Sequence, residues 1–318
     1  MKDVAVSVVI PTFNSAGTLA DTLKGVREQH GVRGDFELIV SDCGSRDDTR
    51  EISRRFGATV FETSKHSPGA ARNLGLFHAS GEIIVYLDSD MIPIRQWLHE
   101  ITVPFRNSTS LVVGGRTLSF MPETLAERFM STMWNESSGV LRSDFPFVGS
   151  GNMAVKRDAA DRIGGWAEDM LSAEDMDFST RMIRKFGMKL TYAPRALTFH
   201  RHRKTDDDLR KQAWAYGQGA AQMYVKYPDV LSCNLVTSAK VLGTLAFRSV
   251  APVTSRLGTL VGLTSQQGLW YSYYLRFFSW WFWCGFASMY LNHKYTPAPR
   301  APRFGRTAIN PNSSFMQE

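Results

Sequence analysis

Cysteine is scarce in this chain. Cys43, Cys233 and Cys284 are the whole complement in 318 residues. Three widely spaced thiols, odd in number, exclude a disulfide framework and show no zinc-ligand spacing, so a reducing compartment is expected. Long apolar runs are also lacking, and no window reaches the ~18 successive apolar residues that suggest a membrane span. The nearest, FFSWWFWCGFASMYL at 277–291, is short and follows Arg276. The opening MKDVAVSVVIPTFN meets Pro11 and a polar turn too early for a secretory leader. No glycine-rich or Arg/Lys-rich activating loop follows the first strand, where PTFNSAGT stands. That disfavours a nucleotidyltransferase. No internal repeat is present, and the basic residues form no motif that reads nucleic acid. Acidic residues are outnumbered, 30 against 37 Lys and Arg, giving a net charge of +7 and a bias toward anionic partners.

What is present is a rhythm. VAVSVVIP, FELIVSD, ATVFE and EIIVYL read as strands. Between them, SAGTLADTLKGVREQ (capped by Ser15), RDDTREISRRFG and GAARNLGLFHAS read as helices. Strands alternating with helices predict a doubly wound, mainly parallel α/β sheet, whose ligands lie beyond the carboxyl ends of the strands. Pro11-Thr12, Asp42 and Asp88-Ser89-Asp90 fall at those ends. Further on come a helix after Arg95, a strand LVVGGRTL, an amphipathic stretch over 123–142 and a glycine-rich turn before MAVKR. A helix over EDMDFSTRMIRKFG, a strand KLTYAP and a helix ended by Pro228 complete the first 228 residues. Residues 229–295 read as a helical, aromatic-rich region for membrane association or oligomerisation, and 296–318 as a disordered tail.

Asp88 and Asp90 have the spacing of a divalent-cation site, since Mg²⁺ and Mn²⁺ favour carboxylates together with substrate phosphates. An isolated D-x-D is more often a solvated turn; the position at a strand end favours the ligand role. In order along the chain, VSVVIPTFN, DCGSRDDT, ARNLG, YLDSDM, FVGSGNMAV, AEDMDFSTR and FHRHR resemble the motifs of family 2 glycosyltransferases, which have the GT-A fold. The resemblance covers about residues 4–225. It implies an inverting hexosyltransferase that uses a nucleoside-diphosphate sugar, with uridine favoured as the base, and a divalent cation, Mn²⁺ or Mg²⁺.

The resemblance also assigns residues. Pro11, Thr12 and Asp42 would meet the nucleoside, although Ser45 to Asp48 also reads as a helix cap. Arg72 would lie near the diphosphate and the acidic loop. Asp88 and Ser89 would contact the donor, and Asp90 with His200 would hold the metal, His202 being an alternative to His200. Asp175 would be the general base, with Glu174 orienting its loop or touching acceptor. The competing reading pairs Ser172 with Asp175 as a capping box. Asp177 and Arg181 read as a helix-surface pair. Gly149, Ser150, Gly151 and Asn152 match an acceptor-side turn, and Trp166 is either a sugar-stacking platform or core. The implied partners are a donor sugar nucleotide and a glycan or lipid-linked acceptor, met at the cytoplasmic face of the membrane by a chain that could be a homo-oligomer. The aromatic stretch at 235–293 suits a membrane surface, a dimer interface or a packed core. A catalytically silent sugar-nucleotide or glycan-binding module is the alternative from another class.

Overall fold

The computed structural model describes residues 6–31, 36–107, 109–133, 146–229 and 266–292. Its first half alternates β1 (Val6–Thr12), α1 (Leu19–Arg27), β2 (Phe36–Asp42), α2 (Thr49–Arg55), β3 (Thr59–Glu62), α3 (Pro68–His78) and β4 (Ile83–Leu87). There follow β5 (Met91–Pro93), α4 (Trp97–Thr102), α5 (Pro104–Asn107), β6 (Val112–Ser119), α6 (Leu125–Met133) and β7 (Asn152–Lys156). The remainder is α7 (Arg157–Arg162), α8 (Glu174–Phe186), β8 (Thr191–His200), α9 (Asp206–Lys226) and α10 (Gln266–Asn292).

Val8, Val9 and Ile10 of β1 are wholly buried, so this strand has no polar face and must be covered on both sides. Val6, Val8 and Ile10 join one core with Leu19 and Leu23 of α1 and Trp97 and Ile101 of α4. Val9, with Ile39, Ile84 and Tyr86, joins a second core with Leu76 of α3 and Phe178 of α8. The period-2 alternation along each strand therefore feeds two apolar layers. The sheet has the order β3-β2-β1-β4-β7-β6-β8-β5. The block β3-β2-β1-β4 is parallel, as is the pair β6/β8, while β4/β7, β7/β6 and β8/β5 are antiparallel. The expected parallel sheet is thus its N-terminal half, and the whole is mixed. Strand order reverses on either side of β1, which opens a crevice above the carboxyl ends of β1 and β4.

Local differences from the sequence reading have local causes. Ser15 does not cap α1 with its hydroxyl; Thr18 holds the cap position, and the Ser15 carbonyl accepts from the Thr18 and Leu19 amides. Ser45 does not cap α2, because its hydroxyl is taken by Asp42. Within the stretch 123–142 the described helix is α6 alone. The strand at KLTYAP runs on to His200, paired over its last residues with β6 on one side and with the short β5 on the other, which sets Met91 opposite His200.

A third apolar core joins Ala126, Phe129 and Met130 of α6, Leu209 and Ala213 of α9, and Tyr274 and Phe278 of α10. Helices α9 and α10 approach backbone to backbone: a Cβ on Gly217 would lie 1.9 Å from the Phe282 carbonyl oxygen, and one on Gly285 2.2 Å from that of Trp214. The inner face of α10 is therefore core against the preceding helices, while Tyr273, Trp280, Tyr290 and Leu291 stay exposed. Among the described residues no helix is long and apolar enough to cross a membrane. The expected tail at 296–318 and the segment 230–265 lie outside the described residues.

Candidate active site

The chain leaves β4 through Asp88, Ser89 and Asp90 at the mouth of the crevice. Asp88 meets a cation, Arg72, on the buried face of α3. Its guanidinium donates to Asp88 Oδ1 at 2.7 Å through one nitrogen and to Glu174 Oε1 at 2.7 Å through another. Arg72 is only 3% exposed. Burial works against its charge, but Asp88 and Glu174 outweigh burial and raise its pKa. The arginine thus ties the acidic loop to the start of α8, where Glu174 and Asp175 stand.

The glycine-rich turn makes a second tie. The Asp88 amide donates to the Gly151 carbonyl at 3.2 Å, and the Ser150 amide points at Asp175 Oδ2 from 3.4 Å. A Cβ on Gly151 would sit 2.6 Å from Asp88 Oδ2, so a side chain there would displace the acidic loop. Gly149 has open space around it.

Asp175 is half-buried. Burial, and then the neighbouring Glu174 carboxylate, push its pKa up to about 7 against the opposing charge of Arg72. The capping-box reading fails: Ser172 donates its hydroxyl to the Ala215 carbonyl, and the cap residue of α8 is Ala173. Ala173 adopts φ +60°, a left-handed conformation costly for a residue with a Cβ. Strain of this kind gathers at functional turns.

On the other side of the acidic loop, pairing of β5 with β8 sets His200 beside Asp90, with His200 Nε2 3.5 Å from Asp90 Oδ2. Burial opposes the charged carboxylate of Asp90, but His200 and the exposed Arg203 lower its pKa. Burial likewise opposes an imidazolium at His200, and Asp90 outweighs it and raises the pKa. His200, and not His202, stands beside Asp90. His202 is buried behind His200, with Nδ1 3.1 Å from His200 Nδ1 and Nε2 2.7 Å from Ser119 Oγ. Burial and the charge of His200 depress its pKa to about 4. Among the described residues no group of three or more acidic, histidine or cysteine side chains is arranged to hold a metal ion by itself. An oxygen donor and an imidazole side by side fit Mn²⁺ or Mg²⁺, provided that phosphate oxygens and water fill the other positions.

Several expected contacts are redirected. Asp42 is wholly enclosed: it accepts from the Thr12 and Ser45 hydroxyls and from the Gly44 and Ser45 amides. Its carboxylate and the Thr12 hydroxyl shape the turn and do not face the crevice, while Pro11 is half-buried at the strand end. Asn152 is buried too. It donates to the Arg116 and Ala196 carbonyls and accepts from the Trp97 indole at 2.8 Å, so it is a sheet tie and not an acceptor contact. Trp166 is core, stacked on Phe178 at 4.2 Å with the Arg72 guanidinium over its ring. Asp177 is no surface acid: it is fully buried and meets Arg181, Lys226 and Tyr227. Ser89 donates to Ser15 Oγ at 2.8 Å, which ties the acidic loop to the β1–α1 turn.

Two residues were missed in the sequence. Phe13, 54% exposed just beyond β1, meets His66 edge to face at 5.6 Å beside the enclosed Asp42 turn. An aromatic immediately past an interior strand was the available signal. Arg203, present in the sequence reading only within the FHRHR motif, is an exposed cation whose charge reaches Asp90 and His200. A cavity of about 500 Å³ lined by residues such as Ser80, Glu82, Lys156 and Asp161 opens at the amino end of β4, far from this chemistry.

Comparison with known proteins agrees with this geometry. Residues 7–164 match the profile of Glycosyl transferase family 2. The glycosyltransferase AglE of Haloferax volcanii is 30% identical over 230 residues, covering 69% of this chain and 74% of AglE. A pre-mycofactocin glycosyltransferase of Mycobacterium tuberculosis is 31% identical over 267 residues, covering 80% of this chain and 55% of that relative. The solved mannosyltransferase PcManGT of Pyrobaculum calidifontis, in complex with GDP-Man and Mn²⁺, superposes with a TM-score of 0.65 over 93% of this chain and 89% of its own, at 20% identity. That last likeness is one of fold. Profile, relatives and fold converge: the chain belongs to glycosyl transferase family 2.

Proposed function

We propose that the protein transfers a glycosyl unit with inversion from a nucleoside-diphosphate sugar, a uridine donor being favoured, to a hydroxyl of a glycan or lipid-linked acceptor. The carrying observation is that Asp175, in the first turn of α8, is tied to the acidic loop by Arg72 through Glu174 and by the Gly149–Asn152 turn, where burial and the Glu174 carboxylate raise its pKa. A carboxylate poised near neutral pH suits a general base. Asp175 takes the acceptor proton as the hydroxyl oxygen attacks the anomeric carbon. The bond from that carbon to the diphosphate oxygen breaks, and its electron pair leaves with the diphosphate. Asp90 and His200 would hold a divalent cation, which when bound neutralises charge on the leaving group. The complex of PcManGT with GDP-Man and Mn²⁺ supports this. Phe13 offers a face for the nucleobase, Arg203 a cation for phosphate, and Asp88 a contact to ribose or a coordinated water. Glu174, held by Arg72, keeps the base in place.

The same reading places α10 against the cytoplasmic membrane face. Its outer side shows Tyr273, Trp280 and Tyr290, Arg276 is its one charged residue, and it contains no acid. Aromatics with a basic residue suit a lipid interface.

The test is calorimetry with nucleoside-diphosphate sugars, with and without Mn²⁺, followed by transfer assays. Asp90→Ala is expected to lose Mn²⁺-dependent nucleotide affinity. Asp175→Asn is expected to keep that affinity and lose transfer by at least the ~10²-fold of general-base catalysis. Wild-type turnover by Asp175→Asn would refute the assignment of the base.

A further inference from the structure

Imidazole ligates a cation only through a bare ring nitrogen, and the other nitrogen's hydrogen bond decides which one is bare. His200 turns Nε2 toward Asp90, 3.5 Å from Oδ2, and Nδ1 toward His202 Nδ1 at 3.1 Å. His202 turns Nε2 toward Ser119 Oγ at 2.7 Å. Strand pairing sets Ser119 abreast of His200, and His202 is only 7% exposed, so the chain Ser119–His202–His200 is fixed by the sheet rather than by solvent.

Two ring nitrogens this close hold one proton between them. Two protons would collide, and two lone pairs would repel. A neutral His200 carrying that proton on Nδ1 leaves Nε2 bare toward Asp90. His202 then accepts at Nδ1, carries its own proton on Nε2 and donates it to the Ser119 oxygen. The opposite direction of the chain puts a proton on His200 Nε2, facing Asp90, and closes the site to a cation.

We propose that His202 and Ser119 are positioning residues that hold His200 as its Nδ1–H tautomer and so present Nε2 to a divalent cation at Asp90. The proposal rests on the reading above that Asp90 and His200 share that cation, and it adds what makes the imidazole competent.

The test titrates the full-length protein with MnCl₂ alone and reads free Mn²⁺ by electron paramagnetic resonance. His202→Leu removes the acceptor and is expected to raise the apparent Kd about 10–100-fold, as loss of a supporting hydrogen bond does elsewhere. His202→Asn puts an amide oxygen near the place of Nδ1 and is expected to stay within about threefold of wild type. A merely structural role would not separate Asn from Leu in this way. A second measurement needs no variant: long-range ¹⁵N–¹H spectra of histidine-labelled wild type with Mg²⁺ should show His200 protonated at Nδ1. Unchanged Mn²⁺ affinity in His202→Leu, equal losses in Leu and Asn, or a proton on Nε2 of His200 in the Mg²⁺-loaded protein would each overturn the proposal. A wild type that binds no Mn²⁺ overturns the shared-cation reading and this proposal together. Normal wild-type binding with an indifferent His202→Leu overturns the positioning role alone.

Discussion

Arg72 holds Asp88 with one nitrogen and Glu174 with another, and this double hold sets the electrostatics of the crevice. Replacing it with methionine leaves Glu174 buried without its partner, and breaking a buried pair in this way costs about 3–5 kcal/mol. Arg72→Met is therefore expected to lower the denaturation midpoint markedly. Asp175 gives a pH prediction. Its pKa is raised to about 7, so the base form fills as pH rises through that value, and kcat/KM should climb with pH across it. The sign for stability is opposite. A carboxyl with a raised folded pKa stabilises the fold while protonated, and that contribution fades as pH rises from the unfolded value through about 7. Asp175→Asn should hence be more thermostable than wild type at pH 8 and nearly equal to it at pH 4, by calorimetric scans. Sequence motifs pointed to Asp175, Asp90, His200 and Arg72, and the fold gathers these four around one acidic loop. The motifs left Trp166 open between platform and core and did not foresee that the Asn152 and Asp42 side chains are taken up by neighbouring segments, because a polar or aromatic residue at a loop looks the same whether it faces a ligand or a neighbouring strand.

At the scale of elements, two positions are set by backbone geometry. Ala173 pays for its left-handed φ at the start of α8; Ala173→Gly should relieve this and stabilise the fold by about 1 kcal/mol, net of glycine's greater unfolded entropy. A stability unchanged or lower in urea melts would show that the conformation is not a strained one. Gly217 and Gly285 let α9 and α10 touch, and Gly217→Val would drive the helices apart. Overpacking of this kind costs about 1–3 kcal/mol. The helix and strand periods were readable because each element's apolar face follows from its own residues. The short β5 was not, since its three residues are drawn into the sheet only by a partner more than a hundred residues away.

For the whole molecule, the outer face of α10 carries the question of location. With Tyr273 and Trp280 exposed and Arg276 between them, the protein is expected to sediment with anionic vesicles, less so at high salt. Trp280→Ser combined with Arg276→Glu should abolish sedimentation while leaving transfer to a soluble acceptor intact. Wild-type protein that stays in the supernatant would sink the membrane reading. The sequence foresaw an aromatic region but not its division into two faces. Tyr274 and Phe278 are core only because α6 and α9 cover them.

The sequence by itself determined the alternating elements, the strand ends that carry acids, and the order of motifs, because these depend on local periodicity and on residue type. Tertiary structure alone decided which acids share a cation, which histidine meets Asp90, and which conspicuous residues are core. Those outcomes hang on contacts between segments tens to a hundred residues apart, such as Arg72 with Glu174, and burial and charge at such contacts are properties of the packed fold.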